Sequence, residues 1–385
     1  MREYLLTLAV AAAVTYLALG PVRAFAIHFG FVHELRDRDV HATPVPRLGG
    51  VAMLVGLGAG LLVARDLPLL SKVFDTGSGT WKAVATGAFI ICGLGVIDDR
   101  WGLDALTKLV GQALAGAVMA LQGVQLYYFP WPGHSTFVLD QLTGTLLTVV
   151  IVVVTVNAVN VVDGLDGLAA GIVAIAAVAT FVYAYVLSVQ AGIERAVPAA
   201  LVTAILAGLC LGFLPHNIFP ARIFMGDSGS MLLGLLLAAS MVLLTGNFDP
   251  SLTSGLDAVP LFLPLLLPVA VIAVPVLDLA LAVIRRTRAG RSPFEADMQH
   301  LHHRLLMLGH SQRRAVFLMY AVTALLAFGA VALALVPAGW AVVLFLAGVV
   351  GVVAIARWPR PEPSVAGPAA AAQEPGPAPA ASSRP

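Results

Sequence analysis

The chain has 385 residues, of which 59% are hydrophobic and only 11% are Asp, Glu, Lys or Arg, whereas a soluble domain carries about 25% charged residues. A mean hydropathy of +0.92 and a net charge of +1 exclude a soluble enzyme, a disordered chain and a nucleic-acid binder, which would need a basic footprint. The surplus apolar surface must face membrane lipid, and the few ionisable groups become the informative residues, because each is costly in a bilayer.

The first apolar run, around residues 4–19, has no small-residue cleavage site and is followed by further runs, so it reads as a first membrane helix and not a removed leader. A span needs about 20 apolar residues. Eleven candidates follow in chain order, centred near Ala12, Leu57, Phe89, Gly116, Val152, Ala177, Ile205, Ala238, Ala270, Leu326 and Phe345. The least sharply bounded lies within residues 259–284, which contain internal prolines. These runs are too long for the alternating strands of a membrane barrel, which leaves an all-α, polytopic helical bundle. Taken alternately, one set of loops and the C-terminal tail hold 17 Lys and Arg, and the other set holds 5. The positive-inside rule then places the N-terminus outside and the C-terminus in the cytoplasm. Residues 1–358 form the membrane-embedded domain. Residues 359–385 contain 8 of the 24 prolines and are expected to be a disordered cytoplasmic tail. Cys92 and Cys210 sit in apolar runs and read as small buried hydrophobes.

The polar residues gather on the predicted cytoplasmic side. Asp98 and Asp99 close the third run in GLGVIDDRWGLDALTK, and Asp163 and Asp166 close the fifth in NAVNVVDGLDGLA. Asp227 follows the seventh in FPARIFMGDSGS. His300, His302 and His303 lie in DMQHLHHR after the ninth, and His41 and Arg47 lie in HATPVPRLGG after the first. An acidic pair at a helix end is commonly just a solvated terminus, and DGLDG alone suits a cap and turn. Five such segments on one face of a charge-poor chain point instead to a site. Carboxylates without paired cysteines suit a hard cation such as magnesium, which takes one or two carboxylates plus substrate phosphates. Glycines beside the aspartates permit close backbone approach. Histidines and arginines suit diphosphate oxygens, and Phe224 is placed to stack on a base. The residues alone therefore predict a cytoplasm-facing, magnesium-dependent site for a phosphorylated substrate, built on helix ends.

At these residues the sequence resembles the polyprenyl-phosphate N-acetylhexosamine-1-phosphate transferase superfamily (glycosyltransferase family 4). The resemblance covers residues 39–309 through five ordered motifs: PRLGG at 46–50, Asp98-Asp99 with Lys108, NxxNxxDGxDG from Asn157, FMGDSGS from Phe224, and HLHHR from His300. It implies transfer of a sugar 1-phosphate from a UDP-sugar to a polyprenyl phosphate, with release of UMP, at a multi-pass site in the plasma membrane. It implies that Asp227 binds Mg2+ (Mn2+ being the alternative) with Asn160 as second ligand. It also places Asp98 as the base toward the lipid phosphate, Asp99 in support of metal or phosphate geometry, and Lys108 on phosphate. Phe224 and Asp166 then hold uracil, Asn157 and Asp163 line the pocket, Arg47 belongs to the substrate site, and His300, His302, His303 and Arg304 meet diphosphate and sugar.

The interleaved His300-Leu301-His302-His303 resembles the UDP-N-acetylglucosamine branch, as in undecaprenyl- or decaprenyl-phosphate N-acetylglucosamine-1-phosphate transfer, and not the muramoyl-pentapeptide branch with its uninterrupted triple histidine. One departure is Met298 where that branch usually carries arginine after the aspartate, here Asp297. Direct attack by the lipid phosphate and a two-step route through an aspartyl phosphoenzyme both remain open, as does a homodimer. The rival class is a cation-coupled transporter, which would hold its acids near the bilayer midplane.

Overall fold

The computed structural model describes residues 1–32, 45–75, 79–129, 137–189, 192–246 and 311–357, with scattered positions between 273 and 290. Ten apolar helices coincide with expected spans: α1 (Arg2–His28), α2 (Gly49–Arg65), α4 (Thr80–Trp101), α5 (Ala105–Leu121), α6 (Gln141–Val162), α7 (Leu168–Val189), α8 (Val197–Asn217), α9 (Gly226–Gly246), α10 (Gln312–Leu335) and α11 (Ala338–Arg357). A one-turn helix, α3 (Lys72–Asp75), lies between α2 and α4. The span centred on Ala270 and the tail at 359–385 fall outside the described residues. Eight of the helices are long and apolar enough to cross a membrane, whereas α2 and α5 are 17 residues each. The chain is an all-α multi-pass membrane protein. The helical reading misses one feature, a two-residue antiparallel ribbon pairing Tyr128 with Val138 and Phe129 with Phe137.

Local chemistry sets where the helices begin. The Asp104 carboxylate accepts from Leu106 N and Thr107 N, both at 3.0 Å, and caps α5. Asp140 does the same for α6 with Leu142 N at 3.1 Å and Thr143 N at 3.2 Å. Such caps satisfy backbone N–H groups that have no partner within the helix. The Glu3 carboxylate accepts from Leu69 N at 2.9 Å and Leu70 N at 3.1 Å, which ties α1 to the turn after α2. Several acids away from the predicted site thus have structural duties.

Helix α9 is the buried centre, packed by α2, α4, α6 and α8. After Asp227 its sequence SGSMLLGLLLAAS is small or apolar all round, as a helix enclosed by others requires. Small partners bring backbones into contact with it. A Cβ on Gly50 of α2 would overlap Gly229, and one on Gly95 of α4 would overlap Ser228. On α9 itself, a Cβ at Gly234 would lie 2.6 Å from Val156 Cα of α6. By contrast, α11 exposes Trp340, Leu344, Leu346 and Val350 and packs chiefly on α10.

Candidate active site

Successive helices alternate in direction, so the C-terminal ends of α4, α6 and α8 meet the N-terminal ends of α2, α5, α7 and α9 at one end of the bundle. Hydrogen bonds between these ends join them directly. Asp98 and Asp99 end α4, Lys108 stands in the first turns of α5, and Asn157 and Asn160 end α6. Asp163 and Asp166 occupy the turn before α7, and Asp227 opens α9.

Lys108 is the hub. Its Nζ donates to Asp227 Oδ2 at 3.0 Å and forms an ion pair with Asp98 Oδ2. Asp98 is buried, and its Oδ1 accepts from Leu103 N at 2.7 Å. The other oxygen of Asp227, Oδ1, accepts from Asn160 Nδ2 at 2.6 Å. Asn160 Nδ2 also donates to Ser230 Oγ at 2.9 Å. Two carboxylates converging on one ammonium make a place built for positive charge.

Asp99 faces the backbone of α9. Its Oδ1 accepts from Asp227 N at 2.8 Å and its Oδ2 from Ser228 N at 3.1 Å. A side chain on α4 therefore caps the start of α9, and the capped residue is Asp227 itself. Gly226 has φ +69, and a Cβ there would fall on the Asp99 carboxylate. The glycine before Asp227 thus admits a carboxylate of the protein, where the sequence alone suggested close approach by a ligand.

PRLGG and FMGDSGS, far apart in the chain, are joined through backbone. Phe224 N donates to Pro46 O at 2.9 Å, Gly49 N to Phe224 O at 3.0 Å and Gly50 N to Met225 O at 3.0 Å. Phe224 is half-buried in this pairing. Leu48, between the two strands of contact, has φ +99, a region that disfavours side chains. Arg47 is half-buried beside it.

Asp166 is buried, and its Oδ2 accepts from Ala221 N at 2.9 Å, tying the turn before α7 to the loop after α8. Asn217 supports the same junction: Gly167 N donates to Asn217 Oδ1 at 2.9 Å, and Asn217 Nδ2 donates to Ile223 O at 3.1 Å. Asn157 Nδ2 donates to Gln112 Oε1 at 2.6 Å and to Val153 O at 2.8 Å. Gln112 is buried one helical turn after Lys108 and lies outside every motif quoted above. A lone amide in the apolar α5 run was its available signal. His300, His302, His303 and Arg304, with His41 and Met298, lie outside the described residues.

Asp163 is half-buried just past the end of α6. Burial, then the charges of Asp227 and Asp99, push its carboxyl up to about 8, against the opposing pull of Arg47. In an unfolded chain it would titrate near about 4. The folded state thus holds this proton more tightly, and the resulting stability is full below about pH 4 and lost as pH rises through about 8. Detergent-solubilised protein in chelator should melt at falling temperature between about pH 5 and about pH 8, and Asp163→Asn should flatten that slope. Equal slopes for the two proteins would assign the pH dependence to other groups.

Among the described residues, no three His, Cys, Asp or Glu side chains form a protein-only metal cage. Magnesium does not require one, since it usually retains waters and takes one or two carboxylates with substrate phosphates. Asp98 and Asp227 pair with Lys108, while Asp99 and Asp163 lie within electrostatic reach of Asp227 and Arg47 acts on Asp163, so the donors are oxygens and acidic groups are in excess. That donor set fits a hard divalent cation.

The chain is similar to known proteins. The model of Glycosyl transferase family 4 matches residues 81–245. The chain is 48% identical over 333 residues to the decaprenyl-phosphate N-acetylglucosaminephosphotransferase of Mycobacterium tuberculosis, covering 86% of this chain and 82% of that protein. It is 47% identical over 333 residues, with the same coverage, to the protein of that name from Mycolicibacterium smegmatis. A probable undecaprenyl-phosphate N-acetylglucosaminyl 1-phosphate transferase of Bacillus subtilis is 33% identical over 321 residues, covering 83% of this chain and 82% of that protein.

Proposed function

Since the chain belongs to glycosyl transferase family 4, we propose that it transfers N-acetylglucosamine 1-phosphate from UDP-N-acetylglucosamine to a polyprenyl phosphate, releasing UMP. The reaction takes place at the cytoplasmic face of the plasma membrane, as a first membrane step of cell-envelope polysaccharide synthesis. The relatives' names support the sugar phosphate and the lipid: decaprenyl phosphate in the mycobacterial proteins and undecaprenyl phosphate in the Bacillus protein. The lysine and arginine bias of the loops supports the cytoplasmic orientation. The observation that carries the reading is Lys108 bridging Asp98 and Asp227 at the end of a lipid-embedded bundle. A transporter would hold its acids near the bilayer midplane.

The chemical problem is to bring the phosphate of one substrate against the diphosphate of another. An oxygen of the lipid phosphate attacks the β-phosphorus, and the bond from that phosphorus to the bridging oxygen breaks, so the α-phosphate leaves with uridine. Lys108 moves part of its charge from the Asp227 carboxylate to phosphate oxygens and opposes their repulsion. Asp98, released from Lys108, takes the proton of the lipid phosphate. Asp227 and Asn160 would hold Mg2+, which when bound neutralises diphosphate charge. Phe224 and Asp166 line the uridine end. The histidine loop supplies further positive charge to the diphosphate.

The test is UMP release by purified full-length protein, using a panel of UDP-sugars with decaprenyl or undecaprenyl phosphate, with and without magnesium. UDP-N-acetylglucosamine should turn over fastest, and only with both lipid and metal present. Release from UDP-N-acetylmuramoyl-pentapeptide in its place would reassign the sugar. No release from any donor would refute the reaction.

A further inference from the structure

Helix α10 begins 12 residues after His300 and lies wholly outside the matched residues 81–245. No sequence motif marks it. Yet its first turns grip both backbone segments at the uridine end of the site. Tyr320 Oη donates to Gly167 O, the carbonyl that closes the DGLDG turn. The tyrosine ring fills the space over Gly171 one turn further along α7, where any Cβ would overlap it. Gly167 has φ +77, and its N–H is already given to Asn217, so both polar groups of this peptide position are used. Beneath the turn, Val162, Leu165, Leu168 and Ile172 form an apolar cluster with Val316 and Met319 of α10, separate from the main core. Arg313 Nη2 donates to Phe219 O at 3.2 Å, and its guanidinium lies 5.9 Å from the Phe219 ring centroid, two residues before Ala221. Ala221 is the residue whose N–H is held by Asp166.

We propose that Tyr320 is a positioning residue for nucleotide binding: through Gly167 it holds the turn that carries Asp163 and Asp166, and it makes α10 part of the site. Tyr320 touches no reacting atom; it acts through the turn. The proposal rests on the reading that this turn receives the uridine nucleotide. It explains why a residue as small as glycine stands at 171, since a side chain there would evict the ring.

The test is Tyr320→Phe in the full-length protein, because it removes one hydroxyl and leaves the ring in its notch. UMP binding by calorimetry should weaken, and KM for the UDP-sugar should rise, by about 5- to 10-fold, the loss of one buried hydrogen bond. Turnover at saturation and KM for the polyprenyl phosphate should stay within about twofold of wild type. Gly171→Ala, which evicts the ring, should give at least the same nucleotide defect, and adding Tyr320→Phe to it should cost little more, as expected for two changes acting on one contact. Unchanged UMP affinity in Tyr320→Phe would overturn the proposal, as would an equal loss for both substrates. If wild type binds no UMP, the uridine reading fails instead. The positioning claim is then decided by amide hydrogen exchange over residues 163–168, faster in Tyr320→Phe if it is right and unchanged if it is wrong.

Discussion

Asp227→Ala should lower UMP release by on the order of 10³-fold, and added magnesium should not restore it. The size follows from how much converges on this one carboxylate. Its Oδ2 holds the Lys108 ammonium at 3.0 Å and its Oδ1 holds Asn160 at 2.6 Å. Truncation removes the acceptor for both and leaves Lys108 paired with Asp98 alone. The ammonium is then drawn toward the α4 side, away from where phosphate must sit. A metal held by Asp227 would be lost at the same step. The measurement is turnover across a magnesium titration, beside Mn2+ binding followed by electron paramagnetic resonance. Wild type should show one saturable Mn2+ site, and Asp227→Ala should show it weakened or gone. A variant with wild-type Mn2+ affinity would remove Asp227 from the metal site, whatever its activity. Lys108→Met separates the two duties. It should depress turnover severely while Mn2+ still binds, because the competing ammonium has gone and both carboxylates remain.

Much of this arrangement is legible from residue order, and the reason is physical. Runs of about 20 apolar residues have few alternatives to membrane helices, and polar groups in such a chain are confined to helix ends unless they serve a purpose. That logic located Asp98, Asp163, Asp166 and Asp227 at one end of the bundle. It did not reveal what each carboxylate faces. Asp98 and Asp99 are neighbours in sequence, but on a helix neighbours diverge by about 100°. One turns to Lys108, and the other turns to the backbone of α9. Asp166, expected to meet uracil, is also committed to Ala221 N, so one of its oxygens serves the fold. Gln112 and Tyr320 were missed for different reasons. Gln112 was visible as a lone amide in an apolar helix but belonged to no motif. Tyr320 meets Gly167 across 153 residues, and no local pattern encodes that distance. The ribbon at Tyr128 and Phe137 has only two residues per strand, too few to establish an alternating period.

Asp99→Ala should cost about 10²-fold in turnover through geometry alone, because a shift of about 1 Å in a catalytic group can carry a loss of that size. In the folded protein both oxygens of Asp99 are occupied by the N–H groups of Asp227 and Ser228. Hydrogen bonds to a charged acceptor contribute about 1.5–3 kcal/mol each. Among the described residues Asp99 is the acceptor for these two N–H groups, and the carbonyls of α9 cannot replace it because they point along the helix toward its C-terminus. Gly226 cannot substitute, lacking a side chain, and its φ of +69 resists replacement by a capping residue. Without Asp99 the turn bearing Asp227 loosens, and the carboxylate that must meet both Lys108 and the metal loses its fixed direction. Asp99→Asn keeps one acceptor oxygen and presents an amide N–H to the second donor, so its activity should fall between wild type and alanine. Amide exchange at Asp227 and Ser228 should follow the same order, slowest in wild type and fastest in alanine. A metal ligand would behave otherwise: the asparagine variant would lose Mn2+ affinity without faster exchange at those two amides. That outcome would make Asp99 a metal ligand. Faster exchange with Mn2+ affinity falling in parallel would establish it as the cap that aims Asp227.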